Sequence, residues 1–194
     1  MRILTVARRW LVIRIALLKD LFRKPGPPRF DSVLEGSDVD LMLDLVGRIE
    51  DHKWHPRRIL SLSEPEAHLC RLCRFDGIFG NGGLQYWFEC DDSKLYGVHT
   101  ASALRAIGLP DAAEALEQAY ALFPSTVHHE DSDLLIEALS ERASDLEPLE
   151  EQLWRVHEEI TPRTAEFVRA NRSAFEHLRT RRPWDDLMNE YGDA

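Results

Sequence analysis

Apolar residues recur along most of the chain at intervals of three and four positions, which is the pattern of a helix with one buried face. The segment after Ser37 shows this pattern clearly, and either Ser37 or Asp38 can cap a helix that runs to about Asp51. The apolar positions of this helix are Val39, Leu41, Met42, Leu45, Val46 and Ile49. No segment shows the strict alternation of apolar and polar residues that is typical of a half-buried strand. The sequence therefore predicts an all-α fold, an irregular multi-helix bundle.

A capping box and a run of glycines place the next two helices. Ser63 is followed by a glutamate three positions on and by a proline in the first turn, after a connection over residues 53–62. This pattern predicts a helix that runs to about Phe79. The segment from Gly80 to Gly83 then breaks the chain in a tight turn that uses positive φ at glycine. A short aromatic helix over 84–88 follows.

Glycine and proline also mark the helices in the second half of the chain. Gly108 ends one helix as a left-handed cap residue, Pro110 begins the next, and Pro162 breaks or kinks the last long one. The predicted helices cover about 93–107, 110–123, 131–143 and 148–178, and a short terminal helix starts at Pro183.

The first 30 residues differ from the rest of the chain in charge. They carry eight basic side chains and one acidic one, and residues 1–24 have the pattern of an amphipathic basic helix. The prolines from Pro25 to Pro28 end this helix and form a stiff linker. The chain therefore divides into a basic arm with its linker, residues 1–30, and an acidic helical domain, residues 31–194. The arm either docks on this domain or contacts a membrane surface or a partner.

Composition and charge limit the compartment and the class of partner. Three cysteines among 194 residues argue against a disulfide scaffold and fit a reducing compartment, the cytoplasm. The arm has neither the long uncharged run of a membrane span nor that of a secretory signal. The net charge of −10 disfavours direct contact of the acidic domain with nucleic acid, and we expect a basic protein as its partner.

Carboxylates form ordered rows on the predicted helices of the acidic domain. Between residues 111 and 159 the chain has 14 acidic and two basic side chains. The helix over 131–143 has one acidic face, and its opposite, apolar face consists of Leu135, Ile136, Leu139 and Ala143. The rows are Asp111, Glu114 and Glu117, then Glu130, Asp133, Glu137 and Glu141, and finally Glu147, Glu151 and Glu158.

These acidic rows have two interpretations. A charged surface can serve solubility alone, and from charge by itself this is the more common case. Carboxylates one helical turn apart are, however, about 6 Å apart at Cβ. This spacing is similar to the separation of successive phosphates on one DNA strand. The rows can therefore offer a basic groove the same ladder of negative charge as a DNA backbone.

One group of residues is similar to a metal site. His68, Cys70, Cys73 and Cys90 would supply the four ligands of a tetrahedral zinc site. Cys70 and Cys73 lie inside a predicted helix, however, and cysteine is common in protein cores as a small apolar residue. We therefore expect core cysteines without metal or cofactor, and a zinc- or thiol-dependent protein is the alternative. The motifs of metalloproteases, hydrolases and nucleotide-binding enzymes are missing, so we expect no enzymatic activity.

A short motif combines two glycines with three aromatic residues, and it consists of Asn81, Gly82, Gly83, Tyr86, Trp87 and Phe88 with two residues between. It resembles the signature of the bacterial DNA mimic protein family, long catalogued as a domain of unknown function. Residues 103–108 and 112–124 are similar to the next blocks of that family. The resemblance covers about 60–125, with weaker support to about 175. It implies that the motif determines the fold, as a turn followed by an aromatic plug in the core.

The resemblance also implies a function. In the namesake of that family, an acidic helical surface imitates duplex DNA and occupies a DNA-binding transcription factor. For this chain the resemblance implies a non-enzymatic protein whose acidic rows engage the basic surface of a DNA-binding protein. A toxin-neutralising protein of the immunity type, which would use the same rows, is the alternative.

Overall fold

The structure is a computed structural model, and it describes residues 30–53, 62–123 and 132–179. Every regular element in these residues is a helix, which confirms the all-α prediction. The helices are α1 Phe30–Leu34, α2 Asp38–Lys53, α3 Glu64–Glu89, α4 Asp91–Ala106, α5 Pro110–Ala121, α6 Ser132–Glu141 and α7 Ala143–Ala170, followed by a 3₁₀ helix, Arg172–Arg179. The predicted basic arm before Phe30, its linker, Glu130 and the terminal helix from Pro183 lie outside the described residues.

The helix caps predicted at Ser37, Ser63 and Gly108 have the expected hydrogen bonds or backbone angle in the structure. The Ser37 hydroxyl accepts a hydrogen bond from the backbone N–H of Asp40 at 3.2 Å, in the first turn of α2. At the start of α3, a carboxylate oxygen of Glu66 accepts the backbone N–H of Ser63 at 2.8 Å and its hydroxyl at 2.7 Å. Gly108 has a φ of +77°, as a left-handed cap residue between α4 and α5 requires.

The prediction for the last long helix is wrong at both ends. Helix α7 begins at Ala143 rather than at Pro148, and it ends at Ala170, after which the chain continues as the 3₁₀ helix. Pro148 and Pro162 both lie on the exposed side of α7. There, water can solvate the carbonyls whose helical hydrogen bonds the prolines remove, so the apolar contacts on the other side maintain the helix.

Two apolar clusters form the core of the residues that the structure describes, and α7 contributes to both of them. The larger cluster fills the space between α3, α4, α5 and α7 around the buried aromatic rings of Phe75, Phe79 and Trp87. The smaller one joins α1, α2, the start of α3, the end of α7 and the 3₁₀ helix. Val39, predicted to belong to the apolar face of α2, is 37% exposed. It lies on the far side of that helix from Leu41, which is fully buried.

A buried arginine in the smaller cluster is a feature that periodicity does not reveal. Arg48 of α2 has no exposed surface, pairs with Asp44, and donates hydrogen bonds to the carbonyls of Leu178 at 2.9 Å and Arg179 at 3.4 Å. The guanidinium therefore holds the end of the 3₁₀ helix against α2 through charge-assisted hydrogen bonds. Among the described residues, no helix has the length and apolar composition needed to cross a membrane.

Candidate functional site

The kink in α3 has a specific partner on α7. Gly83 has a φ of +71°, and the next residue, Leu84, donates its backbone N–H to a carboxylate oxygen of Glu150 at 2.9 Å. A Cβ atom at Gly83 would lie 2.6 Å from that carboxylate. Trp154 donates its indole N–H to the other oxygen at 3.3 Å. The two requirements, positive φ and room for the carboxylate, explain the glycine at this position.

The aromatic part of the motif is only partly a core plug. Trp87 and Phe88 are buried, and the indole N–H of Trp87 donates to the hydroxyl of Tyr120 at 2.8 Å. Tyr86, which was predicted to belong to the plug, is 43% exposed and packs over Gly82 at the helix surface. The Asn81 amide donates to the carbonyl of Gly77 at 2.9 Å, back along the same helix. Each of these contacts joins the motif to its own helix or to a neighbouring helix.

The acidic rows of α6 and α7 follow one another across a short bend. Glu137 and Glu141 are exposed on α6, and Arg142 is the single residue between that helix and α7. Glu147, Glu151 and Glu158 are exposed along the outer side of α7. Asp133 belongs to α6, although its side chain and the whole of Glu130 lie outside the described residues.

The row on α5 borders the α7 row instead of continuing it. The side-chain amide of Gln152 on α7 donates to the carbonyl of Asp111 at 3.0 Å, which places the first turn of α5 beside that helix. Gln152 lies roughly 100° around α7 from Glu151. Asp111 and Glu114 are exposed at this border. Glu117 instead forms a hydrogen-bonded ion pair with Arg105 of α4, which lowers the pKa of the Glu117 carboxyl.

Ion pairs divide the acidic rows into two groups. Glu151 lies 3.5 Å from Arg155, and the neighbouring Glu159 lies 2.7 Å from Arg163. In the parts of the chain that the structure describes, six carboxylates of the rows have no cationic partner. Two of them, Asp111 and Glu114, belong to α5, and the other four lie on α6 and α7 and are Glu137, Glu141, Glu147 and Glu158. We call these four residues the unpaired row.

The family of DMP19-like proteins matches residues 60–171 of the chain. This range contains α3 to α7, with the glycine kink, its Glu150 partner and the whole unpaired row. The match covers more than half of the 194 residues. The chain belongs to the DMP19-like protein family. The predicted family relationship is thereby confirmed, and no match was found among curated proteins or among solved structures.

The apolar back that was predicted for α6 is incomplete in this DMP19-like protein. Leu139 is buried, but Ile136 is 50% exposed and Ala143, the first residue of α7, is also exposed. Ile136 therefore lies at the surface directly beside Glu137 of the unpaired row.

Of the candidate metal ligands in this DMP19-like protein, His68, Cys70 and Cys73 lie near the start of α3, whereas Cys90 follows its end. Among the described residues, no group of three histidine, cysteine or carboxylate side chains is arranged to hold a metal ion. Burial raises the pKa of the Cys70 thiol to about 12 and that of the Cys73 thiol well above its ordinary value. Burial also lowers the pKa of His68, whose Nε2 lies 3.3 Å from the hydroxyl of Ser102. Cys70 is buried in the smaller apolar cluster, and Cys73, partly exposed, packs against it.

A polar cluster that the sequence reading missed connects α3 to α7. The carboxylate of Asp76 lies 3.1 Å from Nε2 of His157 and accepts the hydroxyl of Thr161 at 3.1 Å. The His157 ring packs against Phe79 and Trp154, and a Cβ on Gly80 would lie 3.0 Å from it. The enclosed ring indicates that this cluster fixes the position of α7. Its members are separated by about 80 positions in the chain, so sequence spacing gave no signal for it.

Proposed function

We propose that this DMP19-like protein is an acidic, non-enzymatic binding protein that occupies the basic surface of a DNA-binding protein in the cytoplasm. The observation that supports the proposal is the unpaired row, four exposed carboxylates without a cationic partner in the described part of the chain. Nearby acidic residues such as Glu117 and Glu159 already have arginine partners. Lysine and arginine side chains of a partner can therefore form new ion pairs with the unpaired row without displacing an arginine of this chain.

The spacing within the row supports a partner that otherwise holds phosphate. Glu137 and Glu141 are one helical turn apart, so their Cβ atoms are separated by about 6 Å. Like charges at this spacing cost a few tenths of a kcal/mol per pair, a cost that a basic partner would remove. Lysine and arginine side chains arranged along a DNA backbone meet a similar series of negative charges.

Affinity capture with matched variants tests the proposal. The wild-type protein is immobilised beside Glu137→Lys/Glu141→Lys and beside a control, Glu35→Lys/Glu166→Lys, which changes the net charge equally at exposed carboxylates outside the rows. Lysate of the native cell is applied at low salt, bound proteins are eluted by a salt step and identified by mass spectrometry, and the main protein is then purified. We expect a DNA-binding protein that is retained by the wild type and by the control but lost from the row variant.

Direct binding of the purified partner decides the mechanism. Its affinity for the wild type should fall steeply with salt, because complementary charge drives the association. Duplex DNA should compete for the same site on the partner. Equal retention by the row and control variants, or no competition by DNA, would refute the proposal. A toxin as the retained protein would instead establish the immunity-type alternative.

A further inference from the structure

The outer face of α7 is a helix face that no other element covers in the described part of the chain. Glu147 and Glu158 of the unpaired row are exposed on this face, and Glu166 is exposed further along it. At 100° per residue these three positions lie within about 100° of one another. The remaining carboxylate of the face, Glu151, is the one that lies 3.5 Å from Arg155. The face therefore offers negative charge along most of the length of α7.

This face ends where the described chain begins. Arg169, near the end of α7, lies about 20° around the helix from Glu158. Its Nε–H group donates to the carbonyl of Leu34, the last residue of α1, at 3.1 Å. Just beyond α7, Arg172 pairs with Asp31 of α1. Helix α1 is therefore held at the C-terminal end of α7, and the chain that precedes α1 joins the structure there.

The segment that precedes α1 has the opposite charge and the length to follow this face. Residues 1–29 carry eight basic side chains and one acidic one. A helix over 1–24, which we call the predicted arm helix, would be about 36 Å long. The linker over 25–29 can span up to about 17 Å when extended. Glu147 precedes Arg169 by 22 positions of α7, which is about 33 Å. The arm can therefore reach from α1 to Glu147.

The spacing of the charges on the two helices also agrees. Arg8 and Lys19 are 11 positions apart on the predicted arm helix, and Glu147 and Glu158 are 11 positions apart on α7. Eleven positions are about three helical turns, so each pair lies on one face of its helix and spans about 16 Å. Lys19 also lies 11 positions before α1 begins, as Glu158 lies 11 positions before Arg169. An arm that folds back along α7 therefore brings both basic residues to both carboxylates in the same register.

We propose that residues 1–24 dock on the outer face of α7 of the same chain, with Arg8 against Glu147 and Lys19 against Glu158. Exposed ion pairs are individually weak and are screened by salt, so the docked arm is readily displaced. The docking itself needs only this chain and does not depend on the proposed function. Its consequence does rest on that function, because a basic partner has to displace the arm before it binds these two carboxylates. The arm then acts as a built-in competitor of the partner.

Limited proteolysis of the full chain with trypsin tests the docking, because trypsin cuts after Arg8 and Lys19 only when the arm is free. At low salt Glu147→Gln/Glu158→Gln should be cut in the arm about threefold faster than the wild type, or more, since it removes both ion pairs. The matched control, Glu64→Gln/Glu89→Gln, removes the same charge at exposed positions at the two ends of α3 and should be cut at the wild-type rate. None of these substitutions adds or removes a trypsin site. Mass spectrometry of timed samples measures each bond separately.

Salt provides the second arm of the same experiment. At about 1 M salt the Debye length falls to about 3 Å, so the wild type and Glu147→Gln/Glu158→Gln should be cut at the same rate. A synthetic peptide of residues 1–24, cut in parallel, corrects for the effect of salt on trypsin. Equal rates for the wild type and both variants at low salt would overturn the proposal and leave the arm free for a membrane surface or another partner.

Cross-linking of the wild type tests the register without any variant. A carbodiimide joins a lysine amine to a carboxylate that it contacts directly, so Lys19 should be linked mainly to Glu158. A mixture of unlabelled and nitrogen-15-labelled chains shows whether each link lies within one chain. Links that join different chains, or links from Lys19 to Glu64 and Glu89 as often as to Glu158, would overturn docking within the chain. Neither measurement includes a partner, so their failure would leave the proposed function untouched.

Discussion

The carboxylate of Glu150 on α7 accepts the backbone N–H of Leu84 at 2.9 Å, at the point where α3 resumes after its kink. The first N–H groups of a helical segment have no partner within it, and they favour a negative charge. Glu150 thus caps the aromatic end of α3 from a distant helix. The contact explains why an acidic residue of α7 belongs to the scaffold although its neighbour in sequence, Glu151, belongs to the surface.

Replacing Gly83 by alanine should destabilise the fold by roughly 2–4 kcal/mol, because the positive φ strains an alanine backbone and the new Cβ would clash with a carboxylate. The φ of +71° strains any L side chain, and the Cβ would lie 2.6 Å from Glu150. Chemical denaturation followed by circular dichroism measures the loss. Gly36→Ala, at a glycine without positive φ, should cost clearly less. Equal losses at the two positions would contradict the role of Gly83.

Glu150→Ala and Glu151→Ala should differ although the two residues are adjacent. Glu150→Ala leaves the partly buried N–H of Leu84 without an acceptor, so we expect a loss of about 1–3 kcal/mol in the free energy of unfolding. Glu151 is exposed, and its ion pair with Arg155 is long, so its replacement should change stability by less than about 0.5 kcal/mol. Urea denaturation of the two variants decides the point. Similar losses would mean that Glu150 is an ordinary surface carboxylate.

Local signals in the sequence were sufficient for much of this fold. Ser63, Gly108 and Pro110 act within one or two turns of their own position, so their caps could be predicted. The sequence also indicated a turn at Gly83, but its partner Glu150 lies 66 positions away, and no local pattern connects the two. The buried Arg48 was missed for the same reason, since its acceptors are 130 and 131 positions away.

The acidic site could be predicted only as a set of rows. Helical periodicity showed that Glu137, Glu141 and Glu147 face outward, and the structure agrees. Periodicity could not show that Glu117 pairs with Arg105 on another helix, nor that Ile136 would remain half exposed. Both depend on how α4, α5 and α6 pack against their neighbours. The spacing of residues within one helix carries no information on that packing.

The cysteines should differ in reactivity. Burial and the nearby carboxylates of Glu50 and Glu66 raise the pKa of Cys70 to about 12, and burial raises that of Cys73 well above its ordinary value. Alkylation requires the thiolate, so at pH 8 the buried Cys70 and the partly exposed Cys73, whose pKa is raised, should both react with iodoacetamide far more slowly than Cys90, which is also partly exposed. Mass spectrometry of timed samples measures the three rates. In denaturant the rates should become alike, and equal rates in the folded protein would show that these thiols are accessible.

His68 should make the fold less stable in mild acid. Burial is the main cause that lowers its pKa below the ordinary 6.5, Arg71 adds to the effect, and Glu64 opposes it. The unfolded chain therefore binds a proton at this residue more readily than the folded one, and the free energy of unfolding falls as the pH drops below about 6.5. His68→Gln should flatten this decrease, measured by urea denaturation at several pH values in phosphate-free buffer. His99→Gln, at an exposed histidine of α4, is the control and should leave the slope unchanged. Identical slopes for the wild type and His68→Gln would show that His68 is not the group responsible.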